Sequence, residues 1–187
     1  MTRVAMAVVF FTALSAIRDR AEAGVVLPWL TISESEVDPW AQRGAPFAGQ
    51  RSLYVWVDPG SNDRFEFGLT GTFELVSLTG RGACTAQGSM TAWTVSADSC
   101  LSARYYLIAE LVVSDSTGAG GSVCLSPNST TGRACEQACG GGSWYFFAYG
   151  GYSTAGPPCV GHGSGPDCII DAIDSPSWGR LKVGYRR

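Results

Sequence analysis

The chain has few basic groups. Its 187 residues include one lysine, Lys182, and one histidine, His162, and the net charge at pH 7 is −3. Nucleic-acid binding requires clustered Lys and Arg side chains that neutralise phosphates. The one basic cluster, in residues 180–187, is typical of a solvated tail. The composition therefore predicts no nucleic-acid partner.

Motifs for catalysis by a histidine triad are also missing. His162 is the sole candidate base for a Ser-His-Asp triad. The chain contains no G-x-S-x-G motif that would present a nucleophilic serine. We expect His162 to be an exposed loop residue, and the sequence predicts no cofactor.

No apolar run reaches the roughly 20 residues of a transmembrane helix. The best candidate, Val4 to Ile17, follows Arg3 and precedes an A-x-A-like site at Ala21-Glu22-Ala23. This order is typical of a secretory signal peptide. We expect residues 1–23 to be removed, leaving no membrane span, with cleavage after Ala16 as an alternative. A membrane anchor and a buried helix are the other interpretations. The predicted location is secreted, extracellular or at the cell surface, with the periplasm as the alternative.

A helical period is absent after the leader, and 24 glycines separate short apolar runs. This spacing predicts one all-β, antiparallel sandwich rather than βαβ units. We expect residues 24–50 to be an irregular lead-in, residues 51–187 to form the domain and residues 150–168 to be a Gly/Pro-rich loop. Leu181 to Tyr185 is a candidate closing strand.

Two stretches carry the strongest strand signals. Ser52 to Val57 alternates aliphatic and aromatic residues, which indicates a central strand covered on both faces. Arg64 to Leu78 has the clearest period of two, with a bulge or bend expected at Gly71. Its predicted inward face consists of Phe65, Phe67, Leu69, Phe73 and Leu75.

All seven cysteines follow the leader. An exported chain meets an oxidising compartment, so disulfides are expected, with at most three bridges and one free thiol. Sequence does not determine the pairing. Short loops favour Cys84–Cys100, Cys124–Cys135 and Cys159–Cys168, which leaves Cys139 free.

Four segments carry a resemblance to known proteins: Ser52 to Asp58, Phe65 to Leu69, Gly121 to Pro127 and Ser177 to Arg186. They resemble segments of uncharacterised secreted bacterial proteins with a cohesin-like or carbohydrate-binding-module-like β-sandwich. The resemblance covers roughly residues 50–130 and the tail. It implies a binding or structural role outside the cell and supplies no catalytic residues. The chain departs from a plain cohesin in its many cysteines.

Three roles follow for the polar and aromatic residues. Exposed rings on a sheet can stack on sugar faces, and the best candidates for ligand binding are Trp144, Tyr145, Tyr149 and Tyr152. Core packing is the alternative for each ring. A small glycosidase would instead need two converging carboxylates, with Glu66, Glu74 and Glu110 as candidates. Otherwise Glu66 and Glu74 lie on a solvated strand face.

Metal sites are weaker hypotheses. Cys159, His162 and Cys168 have ligand chemistry, but disulfide formation competes for the thiols. Turn formation explains Asp58, Asn62 and Asp63 better than calcium binding does. We expect no metal. Asn128-Ser129-Thr130 matches a glycosylation acceptor, although a polar turn is the simpler interpretation. The expected partner is a polysaccharide or another surface protein, and the function is non-catalytic binding or surface structure.

Overall fold

The computed structural model describes residues 29–58, 61–102 and 105–169. The predicted signal peptide and the predicted closing strand lie outside these residues. No helix among them is long and apolar enough to cross a membrane. The regular elements of the described residues are strands, so the all-β prediction is confirmed.

The strands form two sheets. The first sheet contains β1 (Trp29–Ser33), β2 (Gly49–Asp58), β4 (Glu74–Gly80), β7 (Tyr106–Asp115), β11 (Ala148–Gly150) and β13 (Val160–His162). The second contains β3 (Asn62–Gly71), β5 (Cys84–Ser89), β6 (Ala92–Leu101), β8 (Ser122–Ser126), β9 (Cys135–Ala138), β10 (Trp144–Phe146), β12 (Tyr152–Ser153) and β14 (Cys168–Ile169).

Strand order places β2 near the middle of the first sheet and β3 near the middle of the second. The first sheet runs β13-β11-β1-β2-β7-β4, and the second runs β12-β8-β3-β9-β10-β14. In the second sheet β6 also pairs with β3, and β5 pairs with β6. Pairing is antiparallel except between β1 and β11 and between β10 and β14. The predicted disulfide-stapled antiparallel sandwich is therefore confirmed.

The core lies between the inner faces of the two sheets. Leu53 and Val55 of β2 and Phe65 and Phe67 of β3 are each 0% exposed. These residues alternate along their strands with polar or half-buried ones, as a period of two requires. Burial of apolar area from both sheets is the main stabilising term of such a sandwich.

The Arg64 to Leu78 stretch forms two strands rather than one. Its five apolar residues all contact the core, as predicted. However, β3 ends at Gly71 and β4 pairs with β7 in the opposite sheet. Of the bulge or bend expected at Gly71, the structure shows a bend: the chain passes between the sheets directly after Gly71, and the register shift lies between Leu75 and Ser77.

Two segments that the sequence predicts to be irregular contain strands. β1 lies within residues 24–50 and pairs with β2 and β11. β12 and β13 lie within residues 150–168, and β14 begins at Cys168. Each of these strands is five residues or fewer, so its local signal is weak, and its pairing partners are distant in sequence. Tertiary pairing decides their conformation.

The disulfides are Cys100–Cys139, Cys124–Cys159 and Cys135–Cys168, and Cys84 is free and buried. All three predicted pairings are therefore wrong, as is the prediction that Cys139 is free. Each bridge that forms joins residues 33 to 39 positions apart. Proximity in sequence is a poor guide here because sheet neighbours come from distant parts of the chain.

Register explains why the predicted bridges do not form. Cys84 is buried in the core, whereas Cys100 is exposed and precedes the core residue Leu101, so the two cysteines point to opposite faces of the sheet. Cys124 is opposite Thr70 and Cys135 is opposite Glu66. Those positions are roughly 13 Å apart along β3, well beyond the roughly 7 Å limit for a disulfide.

Asp115 closes a turn at the end of β7. It is 7% exposed, and its carboxylate accepts hydrogen bonds from the Thr117 hydroxyl and from the backbone N–H groups of Thr117, Gly118 and Gly120. The Thr117 hydroxyl is the largest cause of a pKa below the ordinary value of 3.8, and partial burial opposes it. These bonds fix the connection between β7 and β8.

The depressed pKa of Asp115 predicts a pH-dependent contribution to stability. A carboxyl whose pKa falls on folding stabilises the protein above its unfolded pKa, and this stabilisation is lost as pH falls through the folded pKa. Asp115→Asn should therefore be less stable than wild type at pH 7, with the difference shrinking below about pH 4. Urea unfolding at several pH values measures this. A difference that stays constant from pH 7 to pH 3 would contradict it.

Candidate functional site

The structure separates the four predicted ligand-binding rings. Trp144 lies on the outer face of the second sheet, beside residues of β9. Tyr145 follows it on β10 and points to the opposite face. Tyr149 packs against the core, and Tyr152 is 0% exposed, with its hydroxyl donating to Glu34. The four rings therefore do not share one exposed surface.

The three candidate glycosidase carboxylates do not converge. Glu66 is on β3 of the second sheet, whereas Glu74 and Glu110 are on β4 and β7 of the first. Glu110 accepts a hydrogen bond from Ser52 of the same sheet. Since Glu66 and Glu110 point outward from opposite sheets, the sandwich stands between them. Glu74 is opposite Ser114, roughly 13 Å along β7 from Glu110. A catalytic pair from these three residues is therefore not supported.

Glu66 itself differs from the sequence interpretation. It is 2% exposed, although it lies on the outer face of its strand. The expectation of a solvated side chain is therefore wrong. A carboxylate buried on an outer face requires other groups to cover it.

A polar groove of about 400 Å³ lies beside Glu66 on this outer face. β3, β5 and β6 form its floor, and the loop between β8 and β9 forms one wall. Its lining consists of Arg64, Glu66, Gln87, Gly88, Ala92, Thr94, Ser96, Asn128, Thr130 and Thr131. Ala92 supplies the one purely hydrocarbon side chain of this lining. We define these ten residues as the Glu66 groove.

Gly68 permits the loop wall to lie close to the sheet. A Cβ atom at this position would meet the backbone oxygens of Pro127 and Thr91, each at 2.7 Å. The loop crosses the outer face of β3 at this point, two residues beyond Glu66. Any larger residue would displace the loop from the groove.

Asn128 holds the loop between β8 and β9 in place through hydrogen bonds of its buried side chain. It is 3% exposed, its amide nitrogen donates to the Trp93 oxygen on β6, and its side-chain oxygen accepts from the N–H groups of Thr130 and Thr131. The N-x-T match is therefore a polar turn held by a buried asparagine. The groove wall is consequently preorganised before any ligand arrives.

Two guanidinium groups compensate the Glu66 charge. Arg64 Nη2 is 3.1 Å from Glu66 Oε1, and Arg133 Nη1 is 3.5 Å from Oε2. Oε2 is buried and accepts no hydrogen bond from the residues that the structure describes. Because the Arg64 side chain is 45% exposed, part of its guanidinium remains available to solvent or ligand.

Trp144 stands next to these charges. Its ring lies 4.9 Å from the Arg133 guanidinium carbon and 5.7 Å from that of Arg64. Cation–π attraction therefore helps to position both arginines. Arg133 also donates to Asp167, next to the Cys135–Cys168 bridge. The disulfide thus anchors the segment that supports this cluster.

Sequence reasoning missed most of this groove. Arg64, Gln87, Thr94 and Ser96 are ordinary polar strand residues, and Arg133 is distant from them along the chain. Two signals were available: a glycine within a strand, Gly68, which often marks close backbone approach, and the Asn128-Ser-Thr turn. The sequence did not show that these two meet.

The positions of the candidate metal ligands do not support a metal site. Cys159 and Cys168 belong to different disulfides. Asn62 donates its amide to Glu136, and Asp63 accepts from the Gly140 N–H. Within residues 29–58, 61–102 and 105–169, no three His, Cys, Asp or Glu side chains group as metal ligands.

Comparisons with known proteins concern the fold. No protein-family model and no curated protein sequence matches the chain. One solved structure that it resembles is a type III cohesin module from the cellulosomal ScaE cell-surface anchoring scaffoldin of Ruminococcus flavefaciens. That match has a TM-score of 0.45 and 11% identity, and covers 62% of this chain and 74% of that chain.

A second solved structure is the seventh ScaB type I cohesin from Pseudobacteroides cellulosolvens. It has a TM-score of 0.42 and 9% identity, and the match covers 80% of this chain and 96% of that chain. Both solved structures are cohesin modules. At TM-scores below 0.5 and identities of 9% and 11%, these matches carry no conclusion about the family or the role of this chain.

Proposed function

We propose that this chain is an exported, non-catalytic binding module that holds a polysaccharide or another protein of the cell surface in the Glu66 groove. The observation that carries the proposal is a preorganised groove whose lining contains one carboxylate, already compensated by Arg64 and Arg133. Glycoside hydrolysis needs two carboxylates that act together. One carboxylate between two guanidinium groups is suited to binding instead.

The predicted location outside the cytoplasm supports the same binding role. A leader with the order of a signal peptide and three disulfides both favour an oxidising compartment outside the cytoplasm. The groove is open on the outer face of a sheet, where a large partner can approach. Its walls are fixed by Asn128 and by the cysteine bridge near Arg133, so little ordering is needed on binding.

The test fills the groove without touching the core. Ser96→Trp places a large ring among the lining residues. Thr79→Trp is the control, because Thr79 is an exposed strand residue of the other sheet. We expect saturable binding of wild type and Thr79→Trp to envelope preparations of the source organism, and at least about tenfold weaker binding of Ser96→Trp. Labelled protein and a sedimentation assay measure this.

Two results would overturn the proposal. One is equal binding by Ser96→Trp and wild type, with circular dichroism showing both folded. The other is release of reducing ends from envelope polysaccharide by the wild type but not by Glu66→Gln, which would identify an enzyme.

A further inference from the structure

We infer that the Glu66 groove recognises the hydroxyl groups of a neutral sugar residue in a polysaccharide. This inference rests on the proposed binding function and names its ligand class. The volume of about 400 Å³ is within the range of small-ligand sites.

The neutral part of the lining indicates the ligand. Gln87, Thr94, Ser96, Thr130 and Thr131 each carry both a hydrogen-bond donor and an acceptor. A sugar hydroxyl likewise donates and accepts. An apolar peptide side chain would leave these groups without hydrogen bonds, which is unfavourable. The lining therefore matches a hydroxyl-rich surface better than an apolar one.

The buried charge of Glu66 narrows the class of ligand further. Glu66 is 2% exposed, so a ligand does not reach its carboxylate, whose charge is already compensated by Arg64 and Arg133. A cationic ligand such as a lysine side chain would meet the guanidinium groups of Arg64 and Arg133. A carboxylate ligand would lie beside the charge of Glu66. A neutral hydroxyl ligand avoids both repulsions.

Arg64 completes the arrangement. Its guanidinium contacts Glu66 Oε1 and is 45% exposed, so donors remain on its outer side. Ser96 is opposite Arg64 in the ladder between β3 and β6 and also lines the groove. One sugar hydroxyl can donate to the Ser96 hydroxyl while the neighbouring sugar hydroxyl accepts from Arg64. The two side chains together are therefore complementary to a vicinal diol.

The position of Trp144 determines how the sugar binds. Its ring is already in contact with the guanidinium groups of Arg64 and Arg133. The groove lining contains no aromatic side chain. Recognition therefore depends on hydrogen bonds to hydroxyls at the sugar edge rather than on ring stacking.

The experiment uses the full chain, an array of neutral and acidic oligosaccharides, and envelope preparations treated with periodate or with protease. Periodate destroys vicinal diols, so it should abolish groove-dependent binding, whereas protease should not. On an array hit, Thr94→Val and Gln87→Leu should each weaken binding about three- to tenfold, the effect of one lost hydrogen bond. Thr79→Val, on the other sheet, should leave binding unchanged.

The outcomes separate the two proposals. Groove-dependent binding that protease removes and periodate does not would overturn the sugar inference and leave the binding function standing. Groove-dependent binding to acidic sugars alone would also overturn it. Binding that Ser96→Trp does not weaken would overturn both.

Discussion

Replacing Cys135 and Cys168 together by alanine should lower the free energy of unfolding by about 3–4 kcal/mol, because this bridge closes a loop of 33 residues in the unfolded chain. The variant should also bind its ligand more weakly, since Asp167 and Arg133 lose the nearby covalent anchor. Urea unfolding followed by tryptophan fluorescence measures the first effect, and the envelope assay measures the second.

Cys84→Ala is the matched control. Cys84 is buried and makes no bridge, so its loss should cost only about 1 kcal/mol of apolar burial. Burial first, and Asp98 second, raises its pKa to about 11, so the thiol should resist alkylation at neutral pH until urea exposes it. Alkylation of Cys139 in the native protein would contradict the observed pairing. So would equal losses in the free energy of unfolding from Cys84→Ala and from the double alanine variant.

Phe67→Ala should lower the free energy of unfolding by about 3–5 kcal/mol, because the ring is 0% exposed and lies between the two sheets. Leu75→Ala is the informative comparison. Leu75 belongs to β4 at the edge of the first sheet and is half-buried, so its truncation should cost only about 1 kcal/mol.

The comparison of Phe67→Ala with Leu75→Ala tests both the burial of Phe67 in the core and the break between β3 and β4. If Arg64 to Leu78 were one uninterrupted strand, Phe67 and Leu75 would occupy equivalent inward positions. If both variants lowered the urea midpoint equally, with an unchanged dependence of the unfolding free energy on urea concentration, the result would argue against the crossing between sheets at Gly71. A much larger loss for Phe67→Ala is the result expected from the structure.

Much of the fold could be predicted from local pattern. Ser52 to Val57 and Phe65 to Leu69 alternate clearly, and both lie in central strands with inward aliphatic or aromatic residues. β1 and β12 could not be predicted in this way, because five or two residues carry too little periodicity. Their hydrogen bonds come from strands far away in sequence.

The candidate site was less predictable than the fold. Glu66 was recognised as a carboxylate of interest, but its burial depends on Arg64, on Arg133 and on a loop that crosses over Gly68. Aromatic content pointed to Trp144 and Tyr152, whereas the structure buries Tyr152 in the core. Residue type indicates possible chemistry, and only the packing shows which groups meet.

The sequence by itself determined an all-β chain with enough cysteines for three bridges, because composition and a period of two are local properties. Its first residues predict export, and its few basic residues and single histidine led us to expect neither nucleic-acid binding nor a histidine triad. The tertiary structure decided which cysteines pair, which strand follows Gly71 and where a buried carboxylate meets polar strand residues. Those outcomes depend on sheet register, which brings together residues that are more than 30 positions apart and leaves no mark in any short segment.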